Sequence, residues 1–296
     1  MKQVLYMDGH PIQHPGEIGR ELPLKICDMF TPLDAEHIFN SAGKVENYVN
    51  NTYRIQSFTE SYKELKDIQE VFEISRKSLG SSERYRIERR IRSYFLEADV
   101  FFSHWRRFLG NFKKRNGVDI YKDMENQYRD DATYNLLRIL RNHIMHAGDI
   151  IHGVHIGVND SLLWADADVL KNDIRDKKDR GLIDKCGKKI DLFKLANDSY
   201  PLVQAIHGYF MRAVAKHDKR LNLKAECEYL VSMRSRIFLF KATDWLVFSE
   251  TGIENVEVGL PYIGGVPGIG VDYHRLDWEI YKNLLEWCED EDNGEQ

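Results

Sequence analysis

The sequence is poor in cysteine, proline and long apolar runs, and each shortage excludes a class of protein. Its four cysteines are widely scattered and form no Cys-x-x-Cys pair; they are Cys27, Cys186, Cys227 and Cys288. Zinc sites and disulfide-stapled secreted domains space their cysteines much more closely. We therefore expect free thiols in a reducing compartment and no metal site.

No apolar run approaches the roughly 20 residues that cross a bilayer. The segment from Met1 to Arg20 also lacks the basic region followed by an apolar stretch that marks a secretory signal. The sequence therefore predicts a cytoplasmic protein with no membrane segment. Its net charge of −5 argues against a generally basic coat for nucleic acid, although residues 83–115 hold ten Lys or Arg against four acidic residues.

Proline is concentrated at the N-terminus. Four of the seven prolines lie in residues 1–33, and none lies between Asp34 and Tyr200. Because proline fixes φ and lacks an N–H donor, we predict a mainly extended or irregular N-terminal arm over residues 1–33. His10 and His14 lie beside Asp8 in this arm, but the prolines around them favour packing over metal binding.

The proline-free stretch repeats its apolar residues every three or four positions, which predicts helices. We place them at residues 35–50, 57–78, 83–114 and 119–148. A further helix, capped by Asp198 and with Pro201 in its first turn, is predicted to reach His217. Long helices with short connections are typical of an up-and-down bundle, so the sequence predicts a mainly α fold with a bundle over residues 34–218.

The pattern changes after Gly148. Residues 154–158 and 162–165 predict two strands around Asn159-Asp160-Ser161, a β-hairpin inserted in the bundle, and residues 166–189 predict a loop or short irregular element. A break at Lys219-Arg220 precedes a small C-terminal α+β unit over residues 222–296. Its predicted elements are a helix at 224–233, strands near 237–241, 245–249 and 256–260, and a helix at 276–289.

Residues 136–151 divide into an apolar face and a polar face at about 100° per residue. The apolar face holds Leu136, Leu140, Ile144, Ala147 and Ile151, and the polar face holds Arg138, Arg141, Asn142, Met145, His146 and Asp149. Arg141 and His146 are about 140° apart, so both can reach one group. Arginine binds phosphate oxygens through its planar fork, and histidine moves protons near neutral pH.

An arginine five residues before a histidine occurs three times, at Arg138/His143, Arg141/His146 and Arg212/His217, and only the middle pair has Asn directly after the Arg. The stretch Arg141-Asn142-His143-Ile144-Met145-His146 resembles the Arg-Asn-x-x-x-His motif of the HEPN superfamily. These are helical-bundle proteins that include many metal-independent RNases of bacterial toxin and phage-defence systems.

The resemblance implies that Arg141 and His146 are the catalytic pair and that Asn142 orients them. Arg138 and His143 are expected to support substrate binding. The resemblance also implies a homodimer whose motif helices meet across a two-fold axis. Toxins paired with nucleotidyltransferases carry Tyr two positions after the His; Gly148 stands here, which argues against regulation by modification of that residue.

We therefore expect a metal-independent endoribonuclease that needs no cofactor and cleaves RNA by attack of the ribose 2′-hydroxyl. An antitoxin or other defence-system protein is a possible partner. Two alternatives remain open: a HEPN-like module that binds a nucleotide or RNA without cutting it, and a dimeric regulatory protein. The predicted helix at 83–114 has basic residues at both ends that could follow an RNA backbone; a buried helix with solvated ends is the alternative.

Overall fold

The computed structural model describes residues 3–7, 26–30, 32–75, 80–146, 149–156, 161–174, 176–239, 244–249, 252–258 and 278–294. His10 and His14 lie outside these residues, as do Ala147 and Gly148. The contacts of the chain group it into two compact units, Asn50–Asp218 and a second one formed by Met1–Val49 with Lys219–Gln296. This grouping puts the helix predicted at 35–50 with the C-terminal residues, whereas we assigned it to the bundle. The predicted domain boundaries themselves stay predictions.

The fold is mainly α, as the periodicity of the sequence predicts. The described residues contain ten α-helices: α1 (Pro32–Val49), α2 (Gln56–Ser75), α3 (Ser81–Asn116), α4 (Ile120–Gln127), α5 (Ala132–His146), α6 (Ala167–Asp173), α7 (Lys177–Lys185), α8 (Leu192–His217), α9 (Leu223–Leu239) and α10 (Trp278–Gly294). No helix within these ranges combines the length and apolar character needed to cross a bilayer.

Seven strands lie in the same ranges: β1 (Gln3–Met7), β2 (Ile26–Phe30), β3 (Gly153–Ile156), β4 (Ser161–Asp166), β5 (Lys189–Asp191), β6 (Asp244–Ser249) and β7 (Gly252–Val258). They form two antiparallel sheets with strand orders β2-β1-β6-β7 and β3-β4-β5. The second sheet confirms the predicted hairpin and adds β5, whose Asp191 pairs with Trp164.

In the unit Asn50–Asp218, the long helix α3 packs against α2, α4, α5 and α8. Most of its aromatic side chains are buried, including Tyr94, Phe95 and Trp105, whereas Tyr85 near its start is exposed. The Tyr94 hydroxyl donates a hydrogen bond to the Ala196 carbonyl at 3.0 Å and lies 2.8 Å from the Ser199 hydroxyl, which satisfies the polar atom of a buried ring. Most of the aromatic surface of α3 is therefore buried within this unit.

The single helix predicted over 119–148 is wrong, because α4 and α5 are separate. The carboxylate of Asp131 accepts a hydrogen bond from the Tyr134 backbone N–H at 2.7 Å and caps α5. The Asn135 side chain donates to the carbonyls of Arg129 and Asp131 at 3.0 and 2.7 Å. These bonds stabilise a tight connection that places the motif on a helix of 15 residues.

The loop predicted over 166–189 is also wrong, because α6 and α7 occupy most of it. Asp166 and Asp176 cap the two helices through their carboxylates. Leu170 and Ile183 are fully buried. The segment therefore joins the core through two short helices that are too polar and too brief for a clear periodic pattern.

Helix α8 begins earlier than predicted, because Asp191 and not Asp198 is its N-cap, with the carboxylate accepting from the Lys194 N–H at 3.0 Å. We expect Asp191→Ala to lower the free energy of unfolding by about 1 kcal/mol, the usual loss for a removed cap. Asp198→Ala is the matched control, because Asp198 is exposed inside the helix. Urea unfolding of both variants measures the difference, and a larger loss for Asp198→Ala would contradict the assignment.

The other unit combines the four-stranded sheet with α1, α9 and α10. Both α1 and α10 pack on α9, and the ring of His37 stacks on that of Tyr229 with centroids 4.1 Å apart. Parts of the predicted N-terminal arm form β1 and β2, and β1 pairs with β6. The strand predicted near 237–241 is wrong over 237–239, which end α9.

Candidate functional site

The Arg-Asn-x-x-x-His motif lies in the second half of α5. Within it, Leu140 and Ile144 are buried as predicted, together with Ile139. Asn142 is exposed, and Met145 is 54% exposed. His146 is the last residue of α5, and its side chain is outside the described part of the structure. The other side chains of the motif therefore define the candidate site.

The side chain of Arg141 lies between α5 and α3. Its Nε is 3.1 Å from Oδ1 of Asp99, an ion pair without a hydrogen bond, because the N–H does not point at the carboxylate. Its guanidinium carbon lies 5.6 Å from the centroid of the Phe102 ring, within the range of a cation–π contact. The side chain is 11% exposed. Asp99 and Phe102 thus fix the orientation of the guanidinium, and its two terminal nitrogens have no partner among the described residues.

Two buried tyrosines lie near this guanidinium. Burial raises the pKa of Tyr134 to about 12, and Arg141 and Arg138 oppose that rise with their positive charges. Burial also raises the pKa of Tyr121, against the positive charge of Arg106. Both phenols therefore keep their protons near neutral pH. Neither can serve as a general base for a reaction beside Arg141.

Arg138 is engaged by α7. One of its terminal nitrogens forms an ion pair with the carboxylate of Asp179, which lies in the first turn of α7. Asp179 is a buried carboxylate, with a residue exposure of 9%. Removing Arg138 would leave that carboxylate buried without its charge partner. Arg138 therefore has a structural contact in addition to the substrate contact that we predicted for it.

The ring of His143 is buried, and its Nε2 donates to the Asp149 carbonyl at 3.0 Å. The ring of His152 lies edge-on to it, with centroids 6.2 Å apart, and its Nδ1 accepts from the Asp166 N–H at 2.8 Å. Burial and the nearby His143 lower the pKa of His152. These contacts tie the end of α5 to the start of the hairpin, and the predicted substrate contact of His143 stays a prediction.

Sequence reasoning missed the residues that hold the motif in place. Asp99 precedes Arg141 by 42 positions, and Asp179 follows Arg138 by 41 positions. Such separations carry no local signal, because only tertiary packing brings the partners together. The nearest local hint was that Asp99, like Glu97, is an acidic residue within the largely apolar middle of α3.

The described residues contain no group of three or more His, Cys, Asp or Glu side chains arranged to hold a metal ion. What the site offers chemically is a preoriented guanidinium beside an exposed amide, on a helix that ends in a histidine. Comparison with models of known protein families, with curated proteins and with solved structures found no match for this chain.

Proposed function

We propose that the chain is a metal-independent endoribonuclease that acts through Arg141, Asn142 and His146. The observation that carries the proposal is the state of Arg141: its guanidinium is oriented by Asp99 and Phe102, while its two terminal nitrogens have no partner among the described residues. Two parallel N–H donors on a planar fork match the oxygens of a phosphate. The resemblance of the motif to that of HEPN RNases supports the same assignment.

The proposed reaction is a transesterification within RNA. The ribose 2′-hydroxyl attacks the adjacent phosphorus, its proton leaves to a base, and the bond to the 5′-oxygen of the next nucleotide breaks. The products end in a 2′,3′-cyclic phosphate and a 5′-hydroxyl. His146 transfers the proton, and Arg141 stabilises the negative charge that builds on the phosphoryl oxygens. The nucleophile belongs to the substrate, so the reaction needs no metal and excludes DNA.

The proposal also covers the architecture of the bundle, the location of the protein and its assembly into a dimer. The bundle of α2, α3, α5 and α8 is HEPN-like and up-and-down, and the protein acts in the cytoplasm within a toxin or phage-defence system. Two protomers bring their α5 helices together, so that each site draws on both chains. The exposed Asn142 and Met145 support this, because they leave the polar surface of α5 open to a second copy.

The decisive experiment is cleavage of labelled single-stranded RNA, beside DNA of the same sequence, with and without EDTA. We expect RNA to be cut in EDTA, DNA to remain intact, and the products to carry cyclic phosphate ends. A substrate with a single 2′-deoxy nucleotide should resist cleavage at that nucleotide only, because it lacks one nucleophile.

The opposite results identify the alternatives. Loss of cleavage in EDTA, or cleavage of DNA, would contradict the mechanism. RNA binding without cleavage would favour a binding module of the same fold. If a folded dimer shows neither RNA binding nor RNA cleavage, the regulatory protein is the favoured alternative.

A further inference from the structure

Much of the positive charge on α3 is neutralised by other segments. Four of its basic side chains form ion pairs with carboxylates, in the pairs Arg90–Glu64, Arg92–Asp149, Arg106–Glu125 and Lys113–Asp119. Five others do not: the side chains of Arg86, Arg89, Arg107, Lys114 and Arg115 form no ion pair or hydrogen bond with any residue that the structure describes. All five are exposed. The proposed cleavage chemistry uses none of them.

The two groups differ in the side of the helix on which they lie. At 100° per residue, the five uncompensated side chains fall within a sector about 100° wide, and the four paired ones fall outside it. Glu97 is the only carboxylate of α3 within that sector, and it is half-buried. We call this surface, formed by Arg86, Arg89, Arg107, Lys114 and Arg115, the basic stripe. It faces solvent with a charge opposite to the net charge of −5 of the chain.

The charges of the basic stripe form two clusters. Arg86 and Arg89 lie near the start of α3, and Arg107, Lys114 and Arg115 lie near its end. At 1.5 Å per residue, the cluster centres are about 37 Å apart along the helix axis. Between the clusters, the same side of the helix carries the half-buried Glu97 and Val100, which is 40% exposed. One turn of duplex DNA measures about 34–36 Å, close to the distance between the clusters.

We propose that the basic stripe binds the phosphate backbone of a double-stranded nucleic acid that lies along α3. The duplex presents phosphates to the helix one turn apart, where the two clusters meet them. Binding is favoured because cations that no carboxylate neutralises release the counterions of the phosphates on contact. The buried aromatic side of α3 keeps the two clusters at a fixed distance. This inference goes beyond the proposed function, since it requires no cleavage.

The test uses a fluorescent 20-base-pair DNA duplex, which lacks the 2′-hydroxyl and is not a substrate for the proposed cleavage. We expect the full chain to bind it with an affinity that falls steeply with salt. The variant with Arg86, Arg89, Arg107 and Lys114 all replaced by Gln should bind at least about 10-fold more weakly. The magnitude of its slope of log affinity against log salt should be smaller by about 3.6, near 0.9 for each of the four lost phosphate contacts.

The matched control replaces four exposed lysines outside α3 by Gln, and they are Lys177, Lys185, Lys188 and Lys194. It removes the same total charge, so equal weakening in both variants would overturn the basic stripe as the binding surface. A duplex of 8 base pairs is about 27 Å long and cannot reach both clusters, so it should bind far more weakly than the 20-base-pair duplex.

Three further outcomes would also overturn the proposal: no binding by the unchanged chain, equal affinity for the two duplex lengths, or tighter binding of a single strand of the same length. Displacement of the duplex by an equal charge of polyglutamate would assign the stripe to an acidic protein instead. A 2′-O-methylated RNA duplex, which also resists the cleavage chemistry, shows whether the stripe prefers the RNA or the DNA form of the backbone.

Discussion

Replacing Arg141 by lysine is expected to lower the rate of RNA cleavage by about 100-fold to 1,000-fold. Lysine keeps a positive charge near Asp99 but lacks the two terminal nitrogens that we assign to the phosphate. Loss of one donor that stabilises charge in a transition state typically costs this much in rate. Single-turnover cleavage of the RNA substrate at saturating enzyme measures the effect on the chemical step.

Arg138→Lys is the matched control for this substitution. Arg138 lies one turn earlier on α5 and also pairs with a carboxylate, that of Asp179. We expect it to change the cleavage rate much less than Arg141→Lys, while His146→Ala should be as damaging as Arg141→Lys. If the two lysine variants lose activity equally, or if Arg141→Lys keeps full activity, the catalytic assignment of Arg141 is wrong. Circular dichroism should show that the variants remain folded.

Lowering the pH from 7 to 4.5 is expected to remove about 2–3 kcal/mol of folding stability through His207 alone. Burial between α3 and α8, together with the positive charge of Arg54, lowers the pKa of His207 from 6.5 to about 4. The unfolded chain therefore takes up a proton near pH 6.5, whereas the folded chain resists protonation until about pH 4. The stability that His207 contributes is fully present above pH 6.5 and is lost as the pH falls towards 4.

The surroundings of His207 explain why its protonation is costly. Its ring contacts Phe101 and Trp105, with centroids 5.9 and 5.5 Å away, and its Nδ1 is buried without a hydrogen-bond partner in the described part of the chain. The guanidinium of Arg54 lies 5.6 Å from the Trp105 ring centroid on the same cluster. An imidazolium in this place would be desolvated and repelled by a like charge.

Urea unfolding at several pH values tests this with the variant His207→Phe, which keeps an aromatic ring and cannot titrate. Its stability should fall less than that of the unchanged chain between pH 7 and pH 4.5, by about 2 kcal/mol. His104→Gln, which removes an exposed histidine from α3, is the control and should keep the original pH dependence. Identical pH profiles for the unchanged chain and His207→Phe would rule out His207 as the group responsible.

The sequence predicted elements well where apolar side chains repeat along a long helix. The bounds of α2, α3 and α10 lie within about five residues of the predicted ones, and α2 and α3 each bury a regular apolar face. The prediction failed where a short polar signal overrides periodicity. Asp131 caps the start of α5 and so separates this helix from α4. In the sequence, Asp131 looks like any other acidic residue.

The same limit applies to the candidate site. The sequence was enough to place Arg141 and His146 on one helix, and the Asn that follows Arg141 distinguished this pair from the two other Arg/His pairs of the same spacing. It could not supply Asp99 or Phe102, which orient the guanidinium of Arg141 from α3, since that contact depends on how two helices pack. It also could not show that the His143 ring is buried against the Asp149 carbonyl.

The 36 residues of α3 impose a constraint on length as well as on composition. Its buried aromatic side, the carboxylate of Asp99 and the two clusters of the basic stripe share one continuous helical phase. Inserting a single residue between Asp99 and Arg107 would rotate everything after it by about 100° and take Arg107 off the side of Arg89. Substitutions on this helix can be absorbed one at a time, but an insertion or deletion would put its two halves out of phase.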